Sequence, residues 1–373
     1  MVDLLGQYEK IKEEVDEAII NVVRSSAYIN GPEVKSFQSE LESYLGVNHV
    51  IPCANGTDAL QIAMMALGLQ PGDEVITSCF TYVATAEVIA LLQLKPVLVD
   101  VYPDTFDIDV EAMEAAITPK TKAIVPVHLF GQCANMEAIM KIANANNLFV
   151  IEDTAQAIGA DYTFSNGEVK KAGTIGTIGC TSFFPSKNLG CFGDGGAIFC
   201  NDEALAKKIK MTANHGQSVQ YVHDEVGVNS RLDSIQAAVL RIKLRHLDEY
   251  NTARLEAANY YTENFAECEG LITPAISTSS THVFHQYTLR CSGIDRDELR
   301  KYLMERNVPC MIYYPIPLHH QKAYQQDRFS DEDYPVTLDL CKNVFSLPIH
   351  TELTKEAQDK VIDTVKNFLK ENK

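Results

Sequence analysis

Positive charge is scarce in this 373-residue chain: 32 Lys and Arg stand against 50 Asp and Glu, a formal net charge of −18 at pH 7. So acidic a surface repels the phosphates of nucleic acid, which excludes DNA and RNA as expected partners. An anionic ligand then needs a locally positive site. The ten cysteines show no CxxC pair and no regular spacing, so neither a metal site nor a disulfide framework is expected, and a reducing compartment is. No uncharged apolar run reaches the ~20 residues of a membrane span. The start, Met1 to Gln7, lacks the basic-then-apolar pattern of a secretory signal. Long repeats, low-complexity tracts and flexible linkers are missing too. The expectation is a soluble, cytoplasmic protein with no membrane partner, and 46% hydrophobic residues suffice for one large and one small domain.

The pattern along the chain is two-part. An N-terminal helical arm is expected over residues 3–26, with apolar positions at Val15, Ala18, Ile19, Val22 and Val23, and Asn30-Gly31-Pro32 breaks it. Strands and helices then alternate from about 48 to 245, including Pro96–Asp100 and Ala123–Val127, which is the pattern of a mainly parallel sheet. One long helical stretch, Ser234 to Phe265, leads onward to a strand at Gln286–Arg290, a helix at Arg296–Arg306 and an amphipathic helix at Lys355–Lys370. The expected division is 1–245, arm and large domain, and 246–373, small C-terminal domain.

The most informative run is Ser182-Phe183-Phe184-Pro185-Ser186-Lys187-Asn188-Leu189-Gly190, followed by Gly193-Asp194-Gly195-Gly196. A lysine hemmed in by aromatic and glycine residues loses proton affinity, and its amine can then attack an aldehyde to form a Schiff base. Pyridoxal phosphate is the commonest cofactor that requires this. Further parts lie at the ends of successive strands. Leu148–Ile151 delivers Asp153, suited to a pyridinium nitrogen, and Gln156, suited to the phenolic oxygen. Asn55-Gly56-Thr57-Asp58 follows His49–Cys53 and opens a helix, a cup for phosphate to which Ser182 adds a hydroxyl. Tyr82, or Phe80 in its place, follows Glu74–Ser78 and offers a flat ring to stack on the cofactor. Each has a blander reading: Asp153 and Asn55 as helix caps, the aromatics as packing.

With these segments the chain resembles the DegT/DnrJ/EryC1/StrS sugar aminotransferases. The matching stretches are Ala54–Leu60, Thr81–Thr85, Val127–Gln132, Ile151–Ala157, the lysine run to Gly196, and Gly227–Asp233. The resemblance implies a fold-type I, aspartate-aminotransferase-like α/β architecture: a large domain with a mainly parallel sheet flanked by helices, plus a small C-terminal α+β domain. It implies pyridoxal 5'-phosphate as cofactor, passing through pyridoxamine phosphate, with Lys187 and Asp153 catalytic. Gly56, Thr57, Tyr82, Gln156 and Ser182 would contact the cofactor, and Asn229 would do so from the neighbouring subunit of an obligate homodimer.

The same resemblance implies L-glutamate as amino donor and a nucleotide-linked keto sugar as acceptor. The form of the lysine run is most similar to enzymes aminating C3 of a UDP-3-keto-N-acetylhexosaminuronic acid. A dTDP-3-keto-6-deoxyhexose and a 4-keto sugar stand as alternatives. Arg231, two residues from Asn229, would suit the uronate carboxylate or the pyrophosphate, with a domain-joining salt bridge as its plainer role. In Met311–His319, Tyr313, Tyr314 and His319 are candidates to line the sugar pocket. Two other classes are a desulfurase-like enzyme using Cys191 and a non-catalytic, cofactor-binding regulatory protein.

Overall fold

The computed structural model describes residues 1–326 and 328–372. Its central sheet has seven strands: β1 (His49–Cys53), β2 (Glu74–Ser78), β3 (Lys95–Val99), β4 (Thr121–Val125), β5 (Phe149–Asp153), β6 (Ile178–Ser182) and β7 (Gly196–Cys200). Their spatial order is β1-β7-β6-β5-β4-β2-β3. The pairs from β3 through β6 are parallel, whereas β7 runs antiparallel to both β6 and β1. Helices cover both faces, which is why the central strands read as apolar runs rather than as alternating patterns. One face packs Leu60, Ala63 and Met64 against Val75, Ile151 and Ile198, and the other packs Ile76, Ile124 and Val150 against Ile139 and Tyr162.

The arm is helical from Leu4 to Ser25; Asp3 caps it by accepting the Gly6 N–H, and Ser26 ends it in the left-handed region. Its Ile11 and Val15 seat on Val239 and Ile242. The stretch expected as one helix from Ser234 is two, Ser234–Arg245 and Leu247–Phe265, meeting at His246. Charge placement accounts for the break. Lys243 and Arg245 lie in the last turn of the first helix, and Asp248 and Glu249 in the first turn of the second, so each end is matched to its helix dipole.

The second helix belongs to two cores. Leu247 packs with Phe183 and Leu244 of the large body, whereas Ala257, Tyr261 and Phe265 face a separate cluster with Leu289, Phe345 and Val365. That cluster is built on an antiparallel sheet of β8 (Leu271–Ile272), β9 (Tyr287–Cys291) and β10 (Val344–Leu347), backed by helices Arg296–Glu305 and Lys355–Glu371.

Strand β5 is held at its C-terminal end by a buried hub. Glu152 accepts the backbone N–H groups of Gly173, Ile175 and Gly176. His128, just beyond β4, accepts the Ala134 N–H at Nδ1 (3.2 Å), so its Nε2–H donates to Glu152 (2.9 Å). All four neighbours of Glu152 are donors, a pattern that a carboxylate satisfies and an amide cannot. The backbone continues the tie, with the His128 N–H on the Asp153 carbonyl and the Asp153 N–H on that of Pro126, each 3.0 Å. Replacing Glu152 by Gln would turn an NH2 toward those donors. The expected loss is about 2–4 kcal/mol, read as a lower midpoint in thermal or urea unfolding; an unchanged midpoint would refute the hub.

Candidate active site

The strand ends converge as the sequence order implies. At the N-terminus of helix Gly56–Ala66, Asn55 Oδ1 accepts the Asp58 N–H (2.8 Å). Among the described residues the N–H groups of Gly56 and Thr57 have no acceptor, leaving two donors and the helix dipole for an anion. A Cβ on Gly56 would lie 2.7 Å from Ser182 Cβ and 3.3 Å from its Oγ, so only glycine lets the end of β6 close onto this helix end. Likewise, a Cβ on Gly196 would lie 2.5 Å from the Asn55 carbonyl.

Lys187 sits in the turn after β6, its N–H bonded to the Phe184 carbonyl (2.8 Å). Burial strips its ammonium of water and lowers its pKa to about 8, against a weaker upward pull from Asp153. The turn is pinned by buried Asn188, whose Nδ2 donates to Asn251 Oδ1 (2.8 Å) and the Val283 carbonyl (2.9 Å). Cys191 is packed: its thiol donates to the carbonyls of Phe183 and Gly193, and burial pushes its pKa to about 11, unlike a sulfur nucleophile.

Asp153 ends β5. Burial raises its pKa, and the Ala155 N–H (3.1 Å), the Lys187 charge and the Thr85 hydroxyl (3.0 Å) pull it back. Thr85 received no role from the sequence. Its only cue is its place in the first turn after β2, and that means nothing until β2 and β5 share a sheet edge. Gln156 is oriented on both sides: its Oε1 accepts the Phe130 N–H (2.8 Å) and its Nε2 donates to Tyr314 Oη (3.1 Å). One amide N–H is left over.

Of the two candidate stacking rings, Phe80 is 1% exposed and packs edge-on against Phe130 and Tyr314, whereas Tyr82 is 58% exposed, its ring 6.2 Å from that of Tyr314. Tyr82 therefore has a face to offer. Tyr313 and Tyr314 are half-buried beside it, and burial raises the pKa of both phenols.

His319 departs from its expected place on the sugar pocket. It is 3% exposed, with Nδ1 on Cys79 Sγ (3.0 Å) and Nε2 on Asp331 (3.1 Å), so one ring nitrogen ties the loop to the chain leaving β2 and the other stays within the loop. Nor is Cys79 a nucleophile in this arrangement: it is wholly buried and its pKa is pushed up to about 12. Asn229 is exposed, and the next residue, Ser230, accepts the Ala54 N–H (3.0 Å), so this segment runs along the cup. Arg231 is half-buried and makes no ion pair or hydrogen bond among the described residues, which removes the domain-joining salt bridge.

This donor set fits pyridoxal phosphate. Free N–H groups and a hydroxyl would hold the phosphate, a buried carboxylate the ring nitrogen, a desolvated amine the aldehyde carbon, and Tyr82 the ring face.

Comparison with known proteins agrees. The sequence profile described as the DegT/DnrJ/EryC1/StrS aminotransferase family matches residues 9–366. A Pseudomonas aeruginosa protein named UDP-2-acetamido-2-deoxy-3-oxo-D-glucuronate aminotransferase is 47% identical over 94% of this chain and 95% of its own length. A Geobacillus stearothermophilus protein named pleiotropic regulatory protein is 46% identical over 99% and 98%. The crystal structure of S. venezuelae DesV in complex with a ketimine intermediate superposes with a TM-score of 0.94 at 38% identity, covering 99% of this chain and 97% of that one. From the geometry and these likenesses together, the chain belongs to the DegT/DnrJ/EryC1/StrS aminotransferase family.

Proposed function

We propose that this chain is a pyridoxal phosphate-dependent aminotransferase that moves an amino group from L-glutamate to C3 of a UDP-3-keto-N-acetylhexosaminuronic acid. The observation that carries the reading is Lys187, a half-buried lysine in the turn after β6 within electrostatic reach of the buried Asp153, with Ser182 at the end of that strand closed onto Gly56. Bound cofactor would supply a carbonyl for amines and an electron sink for the carbanion left when an amino acid loses its α-proton. Asp153 would keep the ring nitrogen protonated, with Thr85 and the Ala155 N–H fixing its oxygens. Lys187 Nζ, as a neutral amine, would accept the proton that the donor's α-carbon loses and hold it as an ammonium. A pKa of about 8 leaves a useful fraction of neutral amine near neutral pH. The spare Gln156 N–H would reach the phenolic oxygen, and Tyr82 would cover the ring.

The sugar assignment rests on two supports: the substrate named for the Pseudomonas relative, and Arg231, a half-buried guanidinium with no ion pair or hydrogen bond among the described residues. A dTDP-3-keto-6-deoxyhexose is the second reading, favoured by a Streptomyces venezuelae relative named dTDP-3-amino-3,4,6-trideoxy-alpha-D-glucose transaminase. We further infer a homodimer with shared sites, to which Asn229 and Arg231 would contribute across the interface. Exposed apolar side chains on the arm, Leu5 and Ile20, and on the 217–226 segment, Tyr221 and Val226, support a partner surface. No helix among the described residues is long and apolar enough to cross a membrane, and a cytoplasmic location is part of this proposal.

Two tests follow. The visible absorption of cofactor-loaded protein should change on adding L-glutamate in wild type and not in Lys187→Ala, whose turnover should fall by at least ~10²–10⁴-fold. A cofactor spectrum indifferent to every amino donor would instead support the regulatory reading suggested by the Geobacillus relative's name. Arg231→Met should raise KM for the uronic acid by ~10–100-fold, the worth of one charged hydrogen bond, and leave a 6-deoxy sugar unaffected. Equal losses on both substrates would remove the carboxylate role.

A further inference from the structure

The segment from Pro315 to Tyr334 brings together three ligand-type side chains that amino transfer does not use. His319 and His320 are consecutive residues of a short 3-10 turn, Leu318–His320, and their ring centroids lie 4.2 Å apart. Both turn Nε2 toward a single carboxylate oxygen, Asp331 Oδ1, at 3.1 and 2.6 Å. Sequence neighbours ordinarily point their side chains apart. Here the tight turn and a carboxylate from a later segment make two imidazoles converge, and all three ligand atoms lie within 4.8 Å of one another.

We propose that His319, His320 and Asp331 form a binding site for a divalent transition ion, with zinc as the representative. Ligand atoms about 2.0–2.2 Å from a tetrahedral ion stand about 3.3–3.6 Å from each other. The His319–Asp331 pair is already close to that spacing, and the shorter His320–Asp331 contact opens by rotation of two exposed side chains. Two imidazoles with one carboxylate suit Zn²⁺, Ni²⁺, Co²⁺ or Cu²⁺, and not the oxygen-seeking Mg²⁺ and Ca²⁺.

The support behind the ligands is uneven in a useful way. His319 is fixed, with its ring against Tyr334 (centroids 4.4 Å apart) and Nδ1 on Cys79 Sγ (3.0 Å). With the hydrogen on Nδ1, the thiol sulfur accepts it and the Nε2 lone pair faces the ion, the role an outer partner plays for a metal-bound histidine. His320 and Asp331 have 43% and 61% exposed side chains, which gives an ion a path from solvent and leaves room for water as the remaining ligand. The chain's charge of −18 raises the local concentration of cations around it.

The consequence is mechanical. The Leu318 N–H donates to the Cys79 carbonyl (3.2 Å), so this turn already anchors the segment that carries Tyr313 and Tyr314 to the chain leaving β2. An ion joining the turn to Asp331 would tighten that anchor and stabilise only the folded chain.

The test is a calorimetric titration of zinc chloride into the cofactor-loaded, tag-free protein after chelator treatment, for wild type, His320→Ala and Asp331→Asn. Wild type should bind one ion per chain and show a zinc-dependent rise in thermal midpoint. Each variant should bind at least ~10-fold more weakly, lose that rise, and keep wild-type amino transfer in metal-free buffer. Magnesium chloride should give no binding. The absence of saturable one-to-one binding would overturn the proposal, as would unchanged affinity in both variants, which would place the zinc elsewhere, for example on the cofactor phosphate.

Discussion

A half-buried lysine amine set beside a buried carboxylate is the constraint on which the candidate site depends. Lys187 is held in a turn between β6 and β7, and burial lowers its pKa to about 8 while one buried carboxylate, Asp153, offsets part of the loss. Neither group would be placed by its own segment alone. Asp153 is set by the hub beneath it, in which Glu152 gathers four donors, His128 among them, at the end of β5. Lys187 is set by Asn188, which reaches the Leu247–Phe265 helix through Asn251 and the chain before β9 through Val283. This lysine–aspartate pair thus depends on backbone donors and amides from four separate stretches of sequence, which spreads the cost of burying polar groups over many hydrogen bonds.

Tyr314 links the sheet-edge site to the C-terminal part of the chain. Its hydroxyl receives Gln156, its ring sits against Phe80 and near Tyr82, and Gln156 in turn holds the Phe130 N–H. A change in the segment around residues 311–320 is therefore felt at the amide proposed to meet the cofactor. The cup stands apart from this chain of contacts: it depends on Gly56 and Gly196, where a single Cβ would force β6 and β7 away from the helix end.

Most of the sheet and the residues that meet at the candidate site were legible because their signals are local. Apolar runs bounded by turn residues marked the strands, and polar residues just past them marked the sheet edge where ligands bind. Lys187, Asp153, Gln156, Gly56, Thr57, Ser182 and Tyr82 all carry such cues, and the structure gathers them. What escaped is non-local. Thr85 gains its meaning only from β2 lying in the same sheet as β5, and Glu152 only from the loop at 173–176 folding beneath it. His319 looked available because a histidine after two prolines suggests a lining loop; Cys79, 240 residues away in sequence, holds its Nδ1, and Tyr334 packs against its ring. The break at His246 was written locally, in the switch from Lys243 and Arg245 to Asp248 and Glu249, and was masked by apolar periodicity continuing through it.

The central claim is that burial, with Asp153 opposing, sets the Lys187 ammonium poised for reaction near neutral pH. The measurement is the rate at which cofactor-free protein captures pyridoxal phosphate as a function of pH, with Asp153→Asn beside it. Because the neutral amine is the reactive form, the wild-type rate should rise with pH and level off above a midpoint near 8. Removing the opposing carboxylate should move that midpoint lower. A wild-type midpoint near the ordinary lysine value of about 10.4, or a midpoint that moves upward in Asp153→Asn, would contradict the account.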